Sequence, residues 1–372
     1  MTEPVNKTGR VASLDALRGF DMLWIMGGNM IIIGLATLTG WPFLEAAARQ
    51  MEHVSWHGFA FYDMIFPLFL FIAGVSLPFS MAKRKERGDT GLQIWKHMLT
   101  RLVLLIFLGM IYNGLLRLNF GHIRVASVLG RIGIGWFFAA VIVLYANRTW
   151  RWIWFAVILL GYWTIMALIP APGFKAGDLS WEGNLVGYID RLLLPGWLYE
   201  QNYFDPEGIL SALPAIGTAL LGALTGDFLR DEKRLPKPVQ KGIAILMAGI
   251  VALIIGRLWH NVFPVNKKLW TSSFVVYAGG WSLILLGIFY LIIDVWGKKK
   301  WAFFFQVIGM NSIVSYLMQP MLCLWCVRNF FFEGLINHLP EAWKTLADGL
   351  TYTLVCWLVL YFFYKKKIFV KI

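Results

Sequence analysis

The stretch HGFAFYDMIFPLFLFIAGVSLPFSMAKRKER, residues 57–87, determines the class of fold. Its apolar part is about 20 residues long, which is the length that a helix needs to cross the hydrocarbon core of a bilayer. The run is continuously apolar and does not alternate with polar residues, so it predicts a helix and not a barrel strand. The basic cluster KRKER at 83–87 follows directly and predicts a cytoplasmic end.

Similar apolar runs recur along the whole chain. Of its 372 residues, 58% are hydrophobic and only 15% are charged, whereas about a quarter of the residues in soluble domains are charged. We therefore predict an all-α polytopic membrane protein with about ten transmembrane helices, in one transmembrane domain over residues 1–372 that contacts membrane lipid. The predicted spans lie near 15–38, 59–82, 98–117, 127–147, 150–170, 207–229, 238–262, 270–296, 303–325 and 346–364.

The net charge of +13 follows the predicted topology. Basic clusters recur on one predicted side of the membrane, at KRKER 83–87, RDEKR 230–234, KKK 298–300 and KKK 365–367. This bias predicts that both termini are cytoplasmic. No single basic face is evident, so we expect no nucleic-acid partner. The polar N-terminal segment leads straight into a full-length span, which predicts a retained helix and not a cleaved signal.

Three cysteines, Cys323, Cys326 and Cys356, lie in or beside the last two predicted spans. The first two have the spacing CLWC, but there is no second pair and the segment is predicted to be helical. The spacing therefore predicts packing and not zinc or redox chemistry, and we expect no metal.

The segment HVSWHGFAFYD at 53–63 places titratable groups at the outward start of the second predicted span. An imidazole titrates near neutral pH and serves as a general base or as an acyl-accepting nucleophile. His53 is therefore a catalytic candidate, and an interfacial histidine bonded to backbone is the alternative. With helical spacing, His57 would lie one turn and Asp63 about two turns further on, where they could share or orient the imidazole.

Two amides interrupt apolar spans. Asn29, in MGGNM, is either a bridge between helices, helped by the small neighbours Gly27 and Gly28, or an oxyanion donor. Asn311, in GMNSI, has the same structural alternative.

Charged residues in and beside the spans also need an explanation. Arg131 and Arg257 lie within predicted spans, where an arginine costs at least ~3 kcal/mol unless it faces a polar cavity or an acid, and either could grip phosphate. For Asp205 and Glu207, in DPEG, helix capping is the simpler explanation. Lys267 and its neighbour fit interfacial anchors.

Eight segments carry a resemblance to a known family. They are SLDALRGFDMLWIMGGNM, HVSWHGFAFYDMIFPLFLFIAG, IRVASVLGRIGI, GYIDRLLLPGWLY, DPEGIL, FPVNKKLWTSSFV, GMNSI and YKKKIFVKI. In order and spacing, these segments resemble the heparan-α-glucosaminide N-acetyltransferase family over essentially the whole chain. The chain looks like the short bacterial form, without the luminal N-terminal domain of the lysosomal enzyme. The resemblance implies a membrane enzyme, often a homodimer, that transfers acetyl from acetyl-CoA to the amine of a terminal glucosamine.

The resemblance also implies roles for individual residues. The family's catalytic histidine falls on His53, and its active-site asparagine falls on Asn29. Residues implied to hold CoA are Arg124, Arg131, Asn266 and Lys267, and residues implied to face the acceptor are His57, Asp63, Asp205, Glu207 and Asn311. Two departures bear on the acceptor: the segment from Asn29 to His53 is longer than in the lysosomal enzyme, and His57 replaces the usual asparagine.

We therefore expect an acetyl-CoA-dependent N-acetyltransferase of the bacterial inner membrane, with its catalytic residues open to the periplasm and an amino sugar or glycan as acceptor. His53 would serve as general base or transient acyl carrier. One alternative is O-acetylation of an envelope polysaccharide, as in the acyltransferase-3 family, whose first span has a similar LDxLRG start. The alternative outside enzymology is an amino-sugar transporter without chemistry.

Overall fold

The computed structural model describes residues 11–119, 122–200, 203–231 and 235–370. The N-terminal segment to residue 10, residues 232–234 of the RDEKR cluster and the last two residues of YKKKIFVKI lie outside them. The described residues form helices, and β pairing among them is limited to two isolated bridges, Arg124 with Gly196 and Glu200 with Phe204. The predicted all-α polytopic membrane fold is confirmed.

The helices of the described residues follow one another with short connections over most of the chain. In order they are α1 (Ala12–Leu23), α2 (Gly28–Thr39), α3 (Pro42–Arg49), α4 (Ile65–Glu86), α5 (Gly91–Tyr112), α6 (Val128–Tyr145), α7 (Arg148–Leu168), α8 (Leu185–Leu193), α9 (Ala212–Arg230), α10 (Pro238–Trp259), α11 (Ser272–Phe289), α12 (Phe303–Gly309), α13 (Ser312–Met321), α14 (Leu324–Asn337) and α15 (Glu341–Lys365). Short 3₁₀ segments lie at Trp24–Met26, Phe61–Met64 and Leu115–Arg117, and a π-helical segment lies at Tyr290–Val295.

Within the described residues, eight helices are long and apolar enough to cross a membrane. They are Phe61–Glu86, Gly91–Tyr112, Val128–Tyr145, Arg148–Leu168, Ala212–Arg230, Pro238–Trp259, Ser272–Val295 and Glu341–Lys365. The first predicted span is a bent pair, Ala12–Met26 with Gly28–Thr39, whose halves differ in direction by 59°. Counted as one crossing, this pair brings the total to nine.

The difference from the predicted ten lies at 303–325. This segment is divided into α12 and α13, because the backbone at Asn311 leaves the helical region with φ −128° and ψ 40°. A second departure follows α13, where Leu322 is extended with φ −112° and ψ 131°. Neither piece alone is long enough to span a bilayer.

The chain divides by its internal contacts into two compact units. The first unit comprises Met1–Ser55, Phe59–Ile65 and Leu285–Lys371, and the second comprises Trp56–Gly58 and Phe66–Ile284. The prediction of one transmembrane domain over 1–372 stays a prediction.

Close helix contacts through glycine hold the first unit together. A side chain on Gly19 would clash with the carbonyl oxygen of Phe305, and one on Gly309 would clash with that of Asp15, so α1 and α12 cross with their backbones touching. The bend between α1 and α2 lies at Gly27, whose φ of 103° is in the left-handed region that favours glycine. Asn29 therefore lies in the first turn of a new helix.

The second unit uses the same device around α9. Gly222 and Gly226, four residues apart, lie against the carbonyl oxygens of Phe71 and Val75 on α4. Small residues at this spacing let two membrane helices approach closely and gain van der Waals contact. The backbones of α4 and α9 therefore lie in direct contact at these two glycines.

The two cysteines of CLWC form a disulfide, with their Cα atoms 5.2 Å apart. The prediction that they only pack is wrong, because the segment is not a continuous helix. Cys323 precedes the start of α14, so the chain turns between the two residues. The third cysteine, Cys356, is a buried thiol, as packing predicts.

Candidate active site

His53 pairs with a buried carboxylate in the first unit. Its Nδ1 lies 2.7 Å from Oδ1 of Asp63. The side chain of Asp63 is 2% exposed, whereas that of His53 is 51% exposed. The imidazole is also in contact with the Tyr62 ring, at 4.9 Å between ring centres. A half-exposed imidazole oriented by a buried acid is the arrangement that a general base or nucleophile needs.

The local sequence holds Asp63 in place. Asp63 lies in the 3₁₀ turn Phe61–Met64, and its Oδ2 accepts hydrogen bonds from the backbone N–H of Ala60 at 3.1 Å and of Val54 at 3.4 Å. One carboxylate oxygen is thus fixed by the backbone, and the other is directed to His53. The carboxylate both closes the loop that carries His53 and sets the orientation of the ring.

The expectation that His53, His57 and Asp63 lie along one helix is wrong. Residues 51–60 are not helical, and Gly58 has a φ of 130°, in the left-handed region. The N–H of Gly58 donates to the carbonyl oxygen of Val265, 2.8 Å away, which is a contact within the second unit. His53 therefore reaches Asp63 through a loop and a turn and not along a helix face.

The two predicted amides of the first unit differ in their surroundings. Asn29 is half-buried at the start of α2, directly after the Gly27 bend. Asn311 is buried, and both ends of its amide bind the C-terminal backbone: Nδ2 donates to the carbonyl of Ile368 at 3.0 Å, and Oδ1 accepts from the N–H of Val370 at 3.0 Å. These bonds give Asn311 a structural role, but they tie it to the C-terminal segment after α15 and do not bridge two helices as expected. Its predicted substrate contact stays a prediction.

In the second unit, the predicted donor-binding Arg124 is engaged by two acids. Its Nε and Nη2 donate to the two carboxylate oxygens of Asp205, at 2.7 and 2.6 Å, and Nη2 also contacts Glu207. Its guanidinium lies 4.6 Å from the centre of the Tyr199 ring. Burial lowers the pKa of Arg124, but the bonds and charges of both acids outweigh burial and raise it. Arg124, Asp205 and Glu207 are thus brought together as an ion cluster, which leaves little of the charge for a phosphate.

A further buried acid organises this cluster, and it was not predicted from the sequence. The carboxylate of Asp190, on α8, accepts hydrogen bonds from the N–H of Asp205 at 3.2 Å and of Ile209 at 2.9 Å. Burial raises the pKa of Asp190 to about 6, although both backbone bonds oppose the rise. The signal available in the sequence was one acid in the amphipathic run GYIDRLLL, which does not by itself indicate a buried position.

Arg131 lies on α6 and is 1% exposed. Its Nη2 donates to the Ser211 hydroxyl and, at 3.3 Å, to the carbonyl oxygen of Gly208, and its guanidinium lies 5.0 Å from the centre of the Trp270 ring. Nε and Nη1 have no hydrogen-bond partner among the described residues. A buried guanidinium with two nitrogens whose N–H groups are unsatisfied has capacity for an anion.

His57 belongs to the second unit and contacts Asn266, with Nδ1 and Nδ2 3.3 Å apart. Burial and, next, the nearby His260 lower the pKa of His57, so its imidazole is mostly neutral at pH 7. Asn266 is fully buried and organises the turn before α11, because its Oδ1 accepts from the N–H of Leu269 at 2.9 Å. Lys267 is half-buried in the same turn.

These features define a class of protein: an all-α polytopic membrane protein with an imidazole–carboxylate pair beside its second span. The chain is 28% identical to heparan-alpha-glucosaminide N-acetyltransferase of Homo sapiens over 98% of its own length, and 27% identical to the Mus musculus protein of that name over 99%. These relatives confirm the family resemblance found in the sequence. A family model described as a domain of unknown function, DUF5009, matches residues 10–117.

The chain spans about three fifths of the length of these relatives, 60% of the human protein and 61% of the mouse protein. The similarity covers both compact units, since it extends over nearly the whole chain.

Proposed function

We propose that the chain is a membrane-embedded N-acetyltransferase that moves an acetyl group from acetyl-CoA to the amine of glucosamine or of a terminal glucosamine on a glycan. The relatives support the reaction class, since their names describe N-acetyl transfer to a glucosaminide. The 2.7 Å contact between His53 Nδ1 and Asp63 Oδ1 is the observation that supports assigning the reaction to these residues.

In this proposal His53 is the general base. Asp63 accepts a hydrogen bond from Nδ1–H, so Nε2 is the ring nitrogen that takes a proton from the acceptor amine. As the amine nitrogen attacks the thioester carbonyl, the C–N bond forms and the C–S bond breaks. The CoA thiolate then leaves and takes up a proton. In the second route, Nε2 attacks the carbonyl and carries the acetyl group before the amine receives it, and Asp63 supports both routes.

Asn29 is the proposed oxyanion donor. It belongs to the same unit as His53 and lies in the first turn of α2, where the Gly27 bend starts a new helix. A side-chain amide at a helix start adds to the backbone N–H groups that lack partners there. Where one such donor stabilises a tetrahedral oxyanion, its loss costs about 3 kcal/mol in the transition state.

The second unit is proposed to hold the phosphates of CoA. Arg131 supports this best, because two of its buried nitrogens, Nε and Nη1, lack hydrogen-bond partners among the described residues. Arg124 supports it less, since Asp205 and Glu207 already share its charge. Lys267 adds a third cation to the same proposal, while Asn266 shapes the turn that carries it.

The direct test uses purified full-length chain in proteoliposomes with labelled acetyl-CoA and glucosamine. N-acetylglucosamine carrying the label, lost on His53→Ala, is the expected product. Label on a hydroxyl of a polysaccharide would favour the O-acetyltransferase, and uptake of unmodified sugar would favour the transporter. Either result without labelled N-acetylglucosamine would overturn the proposal.

We further propose that the chain resides in a bacterial inner membrane as a homodimer, with both termini cytoplasmic. Whether the number of spans is odd or even decides the side of the membrane on which the C-terminus lies. With the bent pair as one span, nine crossings would place the basic KKK of 365–367 outside, against the charge rule. A tenth crossing by α12 and α13 together returns the C-terminus to the cytoplasm and leaves His53 on the periplasmic side.

A further inference from the structure

A lysine and a glutamate of the second unit meet beside a tryptophan ring. The Nζ of Lys268 lies 2.9 Å from Oε1 of Glu200 and 4.4 Å from the centre of the Trp181 ring. The three residues come from three separate connections: 181 lies between α7 and α8, 200 between α8 and α9, and 268 between α10 and α11. The contact is therefore built by the tertiary fold of this unit. None of the three residues has a role in the function proposed above.

Other aromatic side chains hold the Trp181 ring in position. Trp56 and Phe204 lie 5.0 and 5.1 Å from it between ring centres, and Phe204 is fully buried. Trp56 is fixed in turn, since its Nε1–H donates to the carbonyl oxygen of Leu179 at 2.9 Å. The side chains of Lys268 and Glu200 keep 23% and 16% of their surface exposed. The ring is thus held in place, and the carboxylate beside it remains partly accessible from solvent.

A carboxylate beside an aromatic face is a recognition site for an ammonium group. The ring face attracts a cation through its quadrupole, and the carboxylate adds charge-assisted hydrogen bonds. In this structure the bound ammonium is the chain's own. It is carried on the flexible four-carbon stem of a lysine, which can move away without disturbing the backbone.

We propose that Glu200 and Trp181 form a binding subsite for a primary ammonium group, which the side chain of Lys268 occupies until an amino sugar displaces it. The inference rests on the proposed function only for the identity of the acceptor, whose protonated amine is such a group. Glu200 and Trp181 then contribute affinity for the protonated acceptor, and Lys268 competes with the acceptor for the subsite.

A latch that merely ties three loops together would use the same contacts, but the two roles differ when Lys268 is removed. Loss of a latch loosens the loops and weakens any binding nearby. Loss of a competing ammonium vacates the subsite and strengthens the binding of an amine.

The experiment measures equilibrium binding of labelled glucosamine to the purified full-length chain without acetyl-CoA. N-acetylglucosamine, which has no ammonium group, is the ligand control. We expect Lys268→Ala to bind glucosamine about fivefold more tightly, because a fivefold change in affinity is about the strength of one cation–π contact assisted by a carboxylate. The affinity for N-acetylglucosamine should not change. Lys268→Met keeps the bulk of the side chain but not its charge, so it tests the same prediction if the alanine variant unfolds the loops. Lys344→Ala is the matched control, because Lys344 pairs with Glu341 2.5 Å away on an exposed helix surface.

Second variants identify the two recognition groups. In the Lys268→Ala background, Glu200→Gln and Trp181→Leu should each abolish the gain, and Trp181→Phe should retain part of it. Unchanged or weaker glucosamine binding in folded Lys268→Ala and Lys268→Met proteins would overturn the subsite, as would an equal gain for N-acetylglucosamine. Acetyl transfer by the unmodified chain is assayed separately, so a chain without transferase activity that still shows this gain would refute the proposed function and leave the subsite standing.

Discussion

Replacement of Asp63 by asparagine probes the His53 pair without changing its volume. The Oδ2 atom of Asp63 accepts from two backbone donors, the N–H groups of Ala60 and Val54. An asparagine must place its carbonyl oxygen at that position, because its NH₂ group cannot accept. The NH₂ group then faces His53 Nδ1, where Asp63 Oδ1 lies at 2.7 Å in the unmodified chain. Nδ1 has to accept a hydrogen bond, so the ring proton moves to Nε2 and the nitrogen needed as base is blocked.

The expected effect is large on turnover and small on stability. Loss of a positioned general base lowers turnover by roughly 10²–10⁴-fold, or about 3–5 kcal/mol in activation free energy. Folding loses one charge-assisted bond to an imidazole that is half exposed, so the cost in free energy of unfolding is about 1 kcal/mol or less.

The assay follows labelled acetyl transfer to glucosamine in proteoliposomes, together with CoA binding and melting temperature. Asp89→Asn is the matched control, because Asp89 makes a 2.9 Å pair with Arg84 in a turn between α4 and α5. It should turn over like the parent. A folded, CoA-binding Asp63→Asn chain with turnover within about threefold of the parent would refute the tautomer argument, since the general-base effect on which it rests is at least about 10²-fold.

Three further predictions follow from the second unit and the topology. Arg131→Met should raise the acetyl-CoA KM more than the glucosamine KM, and an unchanged donor KM in a folded chain would return Arg131 to a structural role. Asp190 has a pKa of about 6 when folded and 3.8 as its ordinary value, so the folded chain binds the extra proton between them. As the pH falls from about 7 to about 4, the unmodified chain should therefore gain about 2 kcal/mol relative to Asp190→Asn, read from melting temperatures; a constant difference would contradict this. In a cysteine-free background, a cysteine at His53 should be labelled from the periplasm and one at Lys299 should not, whereas the reverse pattern would invert the topology.

The sequence predicted the class of fold because span length and charge bias are local properties. A run such as residues 61–82 must be helical in a bilayer, whatever its neighbours. The division of the 303–325 segment was not predicted, because it depends on how Asn311 binds the backbone at 368–370, more than fifty residues away. These hydrogen bonds cannot be predicted from the apolar composition of the segment.

The candidate site was predicted in part for the same reason. His53 and Asp63 were singled out by residue type, yet the expected helical spacing failed at Gly58, where a positive φ and a bond to Val265 take the chain out of a helix. The acids that engage Arg124 lie 81 and 83 positions away, and no local period encodes that pairing. Residue chemistry could be predicted, and its long-range partners could not.

The role of His53 in acyl transfer is tested by the variant His53→Ala. Turnover, CoA binding and melting temperature are measured on one preparation of the full-length chain. We expect turnover to fall by two or more orders of magnitude, with CoA binding and melting temperature close to those of the parent, because the role of a general base is realised in the transition state. A stable, CoA-binding His53→Ala chain that acetylates glucosamine near the parental rate would show that His53 does not perform the transfer.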